Sequence, residues 1–305
     1  MGALWDTNVK AQAVLHNYHN ALIAPHFWRD LEVVEGNIAF NQYAKQLQFA
    51  LDYNMDIATT ALIYRTSTSP AWVTGGSWTR STLLQAMHDF IVPMVRFLVS
   101  TGRVYVVDVV NEALVTPLGS NIFRQIIGFP DYVIAAFRFA QKARDGADLL
   151  LRINEDFGTA NGAPSRVDAM LALLDVLADS DVKPDVLGVE SHLRADTIIS
   201  TGSLYLDNLQ RMLDGCQQRD MIVHISEMDM NQDTQDFFTQ ALFYDQYFRA
   251  AYAHPACRSF STWGVYDGNT WLSSSFPNAK PLLFDTQFNP KLAYEAVNTA
   301  IREIV

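Results

Sequence analysis

The stretch Val104–Glu112, with the sequence VYVVDVVNE, is the part of the chain that says most about the fold. Its apolar, valine-rich body is typical of a strand that is buried on both faces of a parallel sheet. Seven further apolar runs of similar length occur along the chain. The eight predicted strands are Ala21–Phe27, Ile57–Tyr64, Val104–Val110, Leu149–Asn154, Val186–Ser191, Ile222–Ser226, Ser259–Trp263 and Pro281–Phe284.

Longer amphipathic segments alternate with these strands. The predicted helices are Phe40–Tyr53, Leu83–Val99, Pro130–Arg144, Arg166–Ser180, Ser203–Gln218, Thr234–His254 and Pro290–Ile304. This alternation indicates a parallel sheet covered by helices, and eight strands favour a closed barrel over an open doubly wound sheet. No glycine-rich phosphate loop follows a strand, which argues against a dinucleotide-binding fold. We predict an α/β protein that forms one (β/α)8 TIM barrel domain over residues 1–305.

The composition is that of a large acidic domain. The chain is 49% hydrophobic, and 22 Lys and Arg against 33 Asp and Glu give a formal net charge of −11. We expect no nucleic-acid partner and no membrane association, because so acidic a chain is not attracted to phosphates or anionic lipids. The sequence also shows no basic run, and we expect no apolar stretch long enough to cross a bilayer. A monomer is expected.

Two features leave the cellular compartment open. No secretory signal is visible at Met1-Gly2-Ala3, so the protein is either cytoplasmic or a secreted one whose signal peptide was removed. The two cysteines, Cys216 and Cys257, are too few for a four-thiolate zinc site. They are expected to form either one bridge or two buried thiols.

Polar side chains collect where the predicted strands end. Asn111-Glu112 follows the third strand, Glu190 and His192 close the fifth, and Glu227 follows the sixth with Asp229 close behind. The carboxyl ends of barrel strands form one face, which is where the active sites of such barrels lie. We therefore expect these groups to share a site. The residues expected to bind the substrate are Arg65, Trp72, Asn154, Glu190, Trp263 and Trp271.

Two carboxyl groups across a sugar-sized gap are the minimum for glycoside hydrolysis. One must hold a proton for the leaving oxygen, and the other must be ionised to attack the anomeric carbon. Glu112 and Glu227, on the third and sixth predicted strands, can face each other across the barrel mouth. A separation of roughly 5–5.5 Å would give retention of configuration. Taken singly, either acid could be a loop residue or part of a helix cap, and His192 could be a structural histidine.

Two other classes of protein stay open on the residues alone. A metal-dependent barrel such as a sugar isomerase could use Glu112, Glu190, His192, Glu227 and Asp229 as ligands for Mg²⁺ or Mn²⁺. Inactivation by a chelator would favour that class. A non-catalytic sugar-binding barrel is the third class, and turnover of an activated aryl glycoside would exclude it.

The motifs resemble those of glycoside hydrolase family 10, known chiefly for endo-β-1,4-xylanases. Asp108–Ala113, DVVNEA, is similar to the family's acid/base motif Trp-Asp-Val-Val-Asn-Glu, and Ile225–Asp229, ISEMD, is similar to its Thr-Glu-Leu-Asp segment. Gly188–Leu193, GVESHL, resembles Gly-Leu-Gln-Ser-His-Leu. Trp263–Asp267, followed by Trp271, resembles the segment that walls the glycone side.

The resemblance implies a role for each matching residue. Glu112 becomes the acid/base, Glu227 the nucleophile, and Asn111 a hydrogen-bond partner of the sugar's 2-hydroxyl. His192 and Asp229 would orient the nucleophile. The implied activity is retaining hydrolysis of β-1,4-linked xylan, or of a related plant-type β-glycan, by double displacement without a cofactor.

The sequence departs from the family on the glycone side. The family's first strand supplies Glu-Asn and a Lys before the Trp, whereas this chain has Ala24-Pro25-His26-Phe27 before Trp28. The family's Gly-His-x-Leu-x-Trp-His segment is Thr59–Arg65, TTALIYR, here. The family's Gln is Glu190, for which we consider Arg65 a partner. These changes predict a retained mechanism with an altered sugar specificity.

Overall fold

The computed structural model of the protein describes residues 9–157, 164–231 and 236–304. The strands in this part of the chain are β1 Ala21–Pro25, β2 Asp56–Thr60, β3 Val104–Asn111, β4 Leu150–Glu155, β5 Val186–Val189, β6 His192–Arg194, β7 Ile222–Asn231 and β8 Cys257–Thr262. The helices are α1 Val9–Tyr18, α2 Trp28–Leu31, α3 Ala44–Asp52, α4 Ala71–Thr74, α5 Arg80–Thr101, α6 Ile122–Ile126, α7 Asp131–Arg144, α8 Pro164–Asp179, α9 Ala195–Thr201, α10 Leu204–Gln217, α11 Phe237–Tyr252 and α12 Leu292–Ile304.

Seven of the eight predicted strands are present, with boundaries that differ by a few residues. The prediction of a strand at Pro281–Phe284 is wrong, because this segment forms only an isolated bridge between Phe284 and Pro290. Strand β6 was not predicted, since three residues are too few to show a periodicity. Strand β7 continues through Glu227 to Asn231, beyond the predicted end at Ser226.

The predicted helices are also observed, at slightly different ends. The predicted helix from Phe40 begins with a 3₁₀ turn, Phe40–Tyr43, before α3. Thr234, at which another helix is predicted to begin, lies outside the described residues, and α11 starts at Phe237. The short helices α2, α4, α6 and α9 were not predicted, because one or two turns leave too few residues for a helical periodicity.

By its internal contacts the chain divides into two units. The first unit comprises His19–Glu155 and Ala172–Val186, and the second unit comprises Met1–Tyr18, Asp156–Leu171 and Leu187–Val305. Within the first unit β1, β2, β3 and β4 pair in that order, all parallel. Within the second unit β7 pairs in parallel with both β6 and β8.

Helix α5 is the longest element of the first unit and packs against α7 and β3. By length and composition it could cross a membrane, contrary to the expectation that no such stretch exists. Its apolar face, however, is fully buried in the core of the unit. The buried residues are Leu83, Met87, Phe90, Ile91, Met94, Val95 and Leu98. The i, i+3, i+4 and i+7 spacing of these side chains is that of a helix packed on one side against a protein core.

A buried ion pair joins β3 to β4 in the first unit. The Arg152 guanidinium donates to both carboxylate oxygens of Asp108, and both side chains are almost fully buried. Removing one partner leaves an uncompensated charge in a low-dielectric interior, which is far costlier than losing a surface pair. The pair therefore helps to fix the register in which Asn111 of β3 lies beside Asn154 of β4.

Substitution Arg152→Met is expected to lower the free energy of unfolding by about 3–5 kcal/mol, because Asp108 keeps its burial but loses its cation. Urea unfolding followed by circular dichroism measures the change. Arg211→Met is the matched control, since Arg211 pairs with Asp168 on the surface of the second unit and should cost less than about 1 kcal/mol. Equal losses for the two variants would contradict the assignment.

The two cysteines are both free and buried, which selects the second of the two expectations. Both lie in the second unit, where burial raises the pKa of Cys216 to about 12 and that of Cys257 to about 11. A thiol with so high a pKa stays protonated near neutral pH, so neither residue is a nucleophile.

Candidate active site

Strand β3 ends in a sharp change of backbone direction at Glu112. Glu112 has a φ of 49°, in the left-handed region that residues with a side chain rarely adopt. Its backbone N–H donates to the Asn154 carbonyl at 2.8 Å, which ties the turn to the neighbouring strand β4. Such a conformation is kept only where the surroundings hold it in place, and it sets the direction of the Glu112 side chain.

The Glu112 carboxyl group is held by two hydroxyl groups of the first unit. The Tyr64 hydroxyl donates to Oε1, and the Thr116 hydroxyl donates to Oε2 at 3.3 Å. Tyr64 is buried, and it follows strand β2. Tyr64 is not among the predicted site residues, although it stands where the family motif has Trp.

The loop after Glu112 is fixed by the buried side chain of Glu155. The backbone N–H groups of Leu114 and Val115 donate to the Glu155 carboxylate at 2.8 Å and 3.1 Å. Glu155 closes strand β4, so it links the end of that strand to the loop that carries Thr116. Like Tyr64, Glu155 is not among the predicted site residues. Its role is to position the loop that follows Glu112.

Asn111 and Asn154 lie side by side at the ends of β3 and β4. The Asn154 amide Nδ2 donates to Asn111 Oδ1 at 2.8 Å, and both side chains are buried. Because this bond uses the Asn111 oxygen as acceptor, the Asn111 amide N–H₂ is the group that can donate to a sugar hydroxyl. Asn154 therefore orients the Asn111 side chain. Asn154 was predicted to bind the substrate, and that role stays a prediction.

Substitution Tyr64→Phe is expected to lower kcat/KM about tenfold, because it deletes a hydrogen bond to the Glu112 carboxyl group. The loss should be greater for substrates with poor leaving groups, which depend most on proton donation. Steady-state kinetics on aryl glycosides of graded leaving-group acidity measures it. Tyr252→Phe, at a half-exposed tyrosine on α11, is the control. Unchanged kinetics in the Tyr64 variant would rule out this role.

The second unit gathers three carboxylates around one histidine. His192 Nδ1 lies 3.1 Å from Asp229 Oδ2, and Nε2 lies 3.4 Å from Glu227 Oε2 and 3.5 Å from Glu190 Oε2. Glu227 and Asp229 are two residues apart in β7, so their side chains project from the same face of the strand. The register of β6 against β7 places His192 directly opposite Asp229.

These contacts determine the charge of His192. Burial lowers its pKa, but Asp229, Glu190 and Glu227 together outweigh that effect, so the pKa lies well above its ordinary value. The side chain is therefore an imidazolium at neutral pH. A fixed cation beside Glu227 stabilises the ionised form of that carboxylate, which is the form that attacks.

Trp271 completes this cluster. Its indole Nε1 donates to Asp229 Oδ2 at 2.7 Å, and its ring meets the His192 ring edge-to-face at 5.0 Å. About 40% of the residue is exposed, so part of the indole remains accessible to a ligand. Trp263 is half-buried, and its backbone N–H donates to the Met228 carbonyl at 3.0 Å, between Glu227 and Asp229.

The model of Glycosyl hydrolase family 10 matches residues 3–300. The chain belongs to glycoside hydrolase family 10. Among curated relatives, endo-1,4-β-xylanase B of Thermotoga neapolitana is 26% identical, over 90% of this chain and 78% of the relative. Endo-1,4-β-xylanase A of Thermoanaerobacterium saccharolyticum is 28% identical over 96% of this chain, which spans only 25% of that longer protein.

Solved structures agree with family 10 membership. Native xylanase 10B from Thermotoga maritima matches with a TM-score of 0.85 and 25% identity, covering 96% of this chain and 90% of that one. Xylanase 10B from Thermotoga petrophila, solved in complex with xylobiose, also has a TM-score of 0.85, with 26% identity over 96% of this chain and 89% of that one. The predicted (β/α)8 barrel and the predicted class of glycoside hydrolase are thereby confirmed. The individual residue roles and the domain bounds of 1–305 stay predictions.

The glycone side is where this family 10 chain differs from the motif of its family. Arg65 is exposed, and its guanidinium lies over the Tyr64 ring at 4.6 Å. Within the second unit, His192 lies 3.5 Å from Glu190. The pairing of Arg65 with Glu190 stays a prediction. Trp72 is half-buried, donates from Nε1 to the Glu32 carbonyl at 2.9 Å, and packs edge-to-face on Trp28.

Proposed function

We propose that this family 10 chain hydrolyses β-1,4-linked xylan or a related β-glycan with retention, using Glu227 as nucleophile and Glu112 as acid/base. The observation that carries the proposal is the contrast between the surroundings of the two carboxyl groups. Glu227 lies beside the His192 imidazolium, whereas Glu112 is held by the neutral hydroxyl groups of Tyr64 and Thr116. A cation stabilises an ionised carboxyl group more strongly than neutral hydroxyl donors do, so Glu227 is the group better kept ionised and Glu112 the one that more readily carries a proton.

The reaction then follows in two displacements. In the first, a Glu227 oxygen forms a bond to the anomeric carbon while the bond to the leaving oxygen breaks, and Glu112 gives that oxygen its proton. In the second, Glu112 takes a proton from water as the water oxygen attacks the anomeric carbon, and the bond to Glu227 breaks. The Asn111 amide donates to the 2-hydroxyl, where interactions strengthen in the transition state.

The choice of substrate rests on the relatives. The two curated relatives described above are named endo-1,4-β-xylanases, and the Thermotoga petrophila enzyme was solved with xylobiose. The exposed part of Trp271 supplies a flat apolar surface of the kind on which sugar rings stack. We expect a monomer with a polysaccharide or oligosaccharide substrate, and neither a nucleic-acid nor a membrane partner. The net charge of −11 supports the exclusion of polyanionic partners.

A second candidate is a β-glycosidase of altered sugar specificity on the same barrel. It is favoured by the replacement of polar glycone residues, since Ala24–Phe27 contains neither the family's Asn nor its Lys, and Tyr64 and Arg65 stand where the family has Trp and His. Phe27 and Tyr64 lie together, with ring centroids 6.2 Å apart. A site that lacks partners for particular hydroxyls discriminates strongly between sugars.

One set of assays tests both candidates. The protein is incubated with xylan, aryl β-xylosides, aryl β-cellobiosides and other aryl β-glycosides, and proton NMR follows the anomer that is released first. We expect the β-anomer as the first product. Initial release of the α-anomer would overturn the retaining mechanism. A product pattern on xylan that equals that of the Thermotoga enzymes would remove the second candidate.

A further inference from the structure

Glu190, His192 and Glu227 converge on one point in the second unit. One ligand atom from each, two carboxylate oxygens and Nε2, lie within 4.8 Å of one another. Glu190 and Glu227 are buried, and the His192 side chain is only 17% exposed. One imidazole nitrogen and two carboxylate oxygens are donors that first-row transition metals accept.

The spacing of these atoms is long for charge-assisted hydrogen bonds and also suits metal ligands. Charge-assisted N–H···O bonds are about 2.7–2.9 Å long, and Nε2 has a single hydrogen to offer two carboxylates. The observed separations from Nε2 are 3.4 Å to Glu227 and 3.5 Å to Glu190. Bonds of about 2.0–2.2 Å to a tetrahedral Zn²⁺ place neighbouring ligand atoms about 3.4 Å apart. Binding of the ion would therefore need only small movements of these side chains, and it would displace the proton that His192 Nε2 carries in the metal-free protein.

The surroundings of His192 Nδ1, the ring nitrogen that faces away from the proposed ion, also resemble those of a metal site. Asp229 Oδ2 lies 3.1 Å from Nδ1, and Trp271 Nε1 donates to the same Asp229 oxygen at 2.7 Å. A carboxylate on the far nitrogen of a ligating histidine fixes the ring orientation and directs Nε2 at the metal. Three protein ligands leave a fourth tetrahedral position open.

We propose that Glu190, His192 and Glu227 bind one divalent transition-metal ion, best matched by Zn²⁺, and that the bound ion reversibly blocks hydrolysis. The inhibitory part rests on the proposed function, because it requires Glu227 to be the nucleophile. The site is particular to this chain, since Glu190 stands where the family motif has Gln, and a neutral amide is a poorer ligand than a carboxylate. An ion bound to Glu227 Oε2 withdraws electron density from the carboxylate, which makes it a weaker nucleophile toward the anomeric carbon.

Binding is tested on the full chain by titration calorimetry with zinc chloride in a non-chelating buffer. We expect one site per chain, and a dissociation constant at least about tenfold weaker in Glu190→Gln. The matched control is Asp214→Asn, which removes a carboxylate 3.2 Å from His254 elsewhere in the second unit and should leave Zn²⁺ affinity unchanged. Equal weakening in the two variants, or no stoichiometric binding to the unmodified chain, overturns the proposal.

A second measurement needs no variant and covers the case in which Glu190→Gln fails to fold. X-ray absorption at the zinc edge of the loaded unmodified chain should show one imidazole nitrogen and two carboxylate oxygens in the first shell. Thiolate ligation, or a shell without imidazole, overturns the site.

Inhibition of hydrolysis by the bound ion is measured separately from binding. Hydrolysis of an aryl β-xyloside should fall as Zn²⁺ fills the site, with half-inhibition at the calorimetric dissociation constant, and chelation should restore it. Stoichiometric Zn²⁺ binding that depends on Glu190 and leaves hydrolysis undiminished would keep the metal site and overturn the inhibition. The role of Glu227 as nucleophile is decided separately, by the activity of Glu227→Ala.

Discussion

Substitution Glu227→Ala is expected to lower kcat on glycosides by about 10⁴-fold or more, because no covalent intermediate can form without the attacking oxygen. The effect should be as great for activated aryl glycosides as for natural linkages, since both need the same first bond. Stopped assays over long times measure the residual rate, and circular dichroism shows whether the fold is kept.

Restoration of activity by an added nucleophile makes the test of Glu227 specific. The alanine variant leaves a vacant volume on the face of the sugar that Glu227 attacks, and azide ion can attack there instead. With an activated aryl β-glycoside the expected product is the α-glycosyl azide. Glu303→Ala, at an exposed carboxylate on α12, is the control and should keep wild-type activity. Activity near wild type in the Glu227 variant would remove this residue as nucleophile.

Substitution Glu112→Ala is expected to lower kcat for substrates with poor leaving groups by about 10²–10⁴-fold, which is the usual contribution of general acid/base catalysis. Glycosides with acidic phenol leaving groups should keep a nearly normal first step, because their leaving oxygen does not need a proton. Hydrolysis of the glycosyl-enzyme then becomes rate-limiting, and a burst of phenol should appear in stopped-flow traces.

Two further observations separate Glu112 from Glu227. Azide should accelerate turnover of the Glu112 variant and give the β-glycosyl azide, the opposite anomer to that formed by the Glu227 variant. The basic limb of the pH–rate profile should also disappear, because the group that loses its proton there is absent. Glu35→Ala, an exposed carboxylate of the first unit, serves as control. An equal loss across all leaving groups would contradict the assignment of Glu112 as acid.

Both substitutions act on side chains that the fold holds in contrasting ways. Glu227 is held by charge, through the His192 imidazolium that Asp229 in turn orients. Glu112 is held by hydroxyl groups, at the end of a strand that turns through a strained backbone position. The same division explains the expected magnitudes, because losing a neutral hydrogen bond from Tyr64 costs far less than losing either carboxyl group.

The amino-acid sequence by itself indicated the barrel and the two carboxyl groups that are proposed as catalytic. Apolar runs such as Val104–Val110 alternate with amphipathic helices, and this periodicity follows from local geometry alone. In a parallel barrel every strand ends on the same face, so Asn111-Glu112 and Glu227 can be assigned to the active-site face without knowledge of any contact. Strand β6 escaped prediction and the strand predicted at Pro281–Phe284 is wrong, because so few residues carry no periodic signal.

Only the tertiary structure decided which side chains hold the acids. Tyr64 reaches Glu112 across 48 residues, and Glu155 holds the backbone of Leu114 across 41. Such contacts depend on strand register and side-chain direction, and neither can be derived from the spacing of residues along the chain. For the same reason the sequence could list Glu190, His192 and Glu227 as neighbours of a site, whereas their common point of convergence emerged only once β6 was paired with β7.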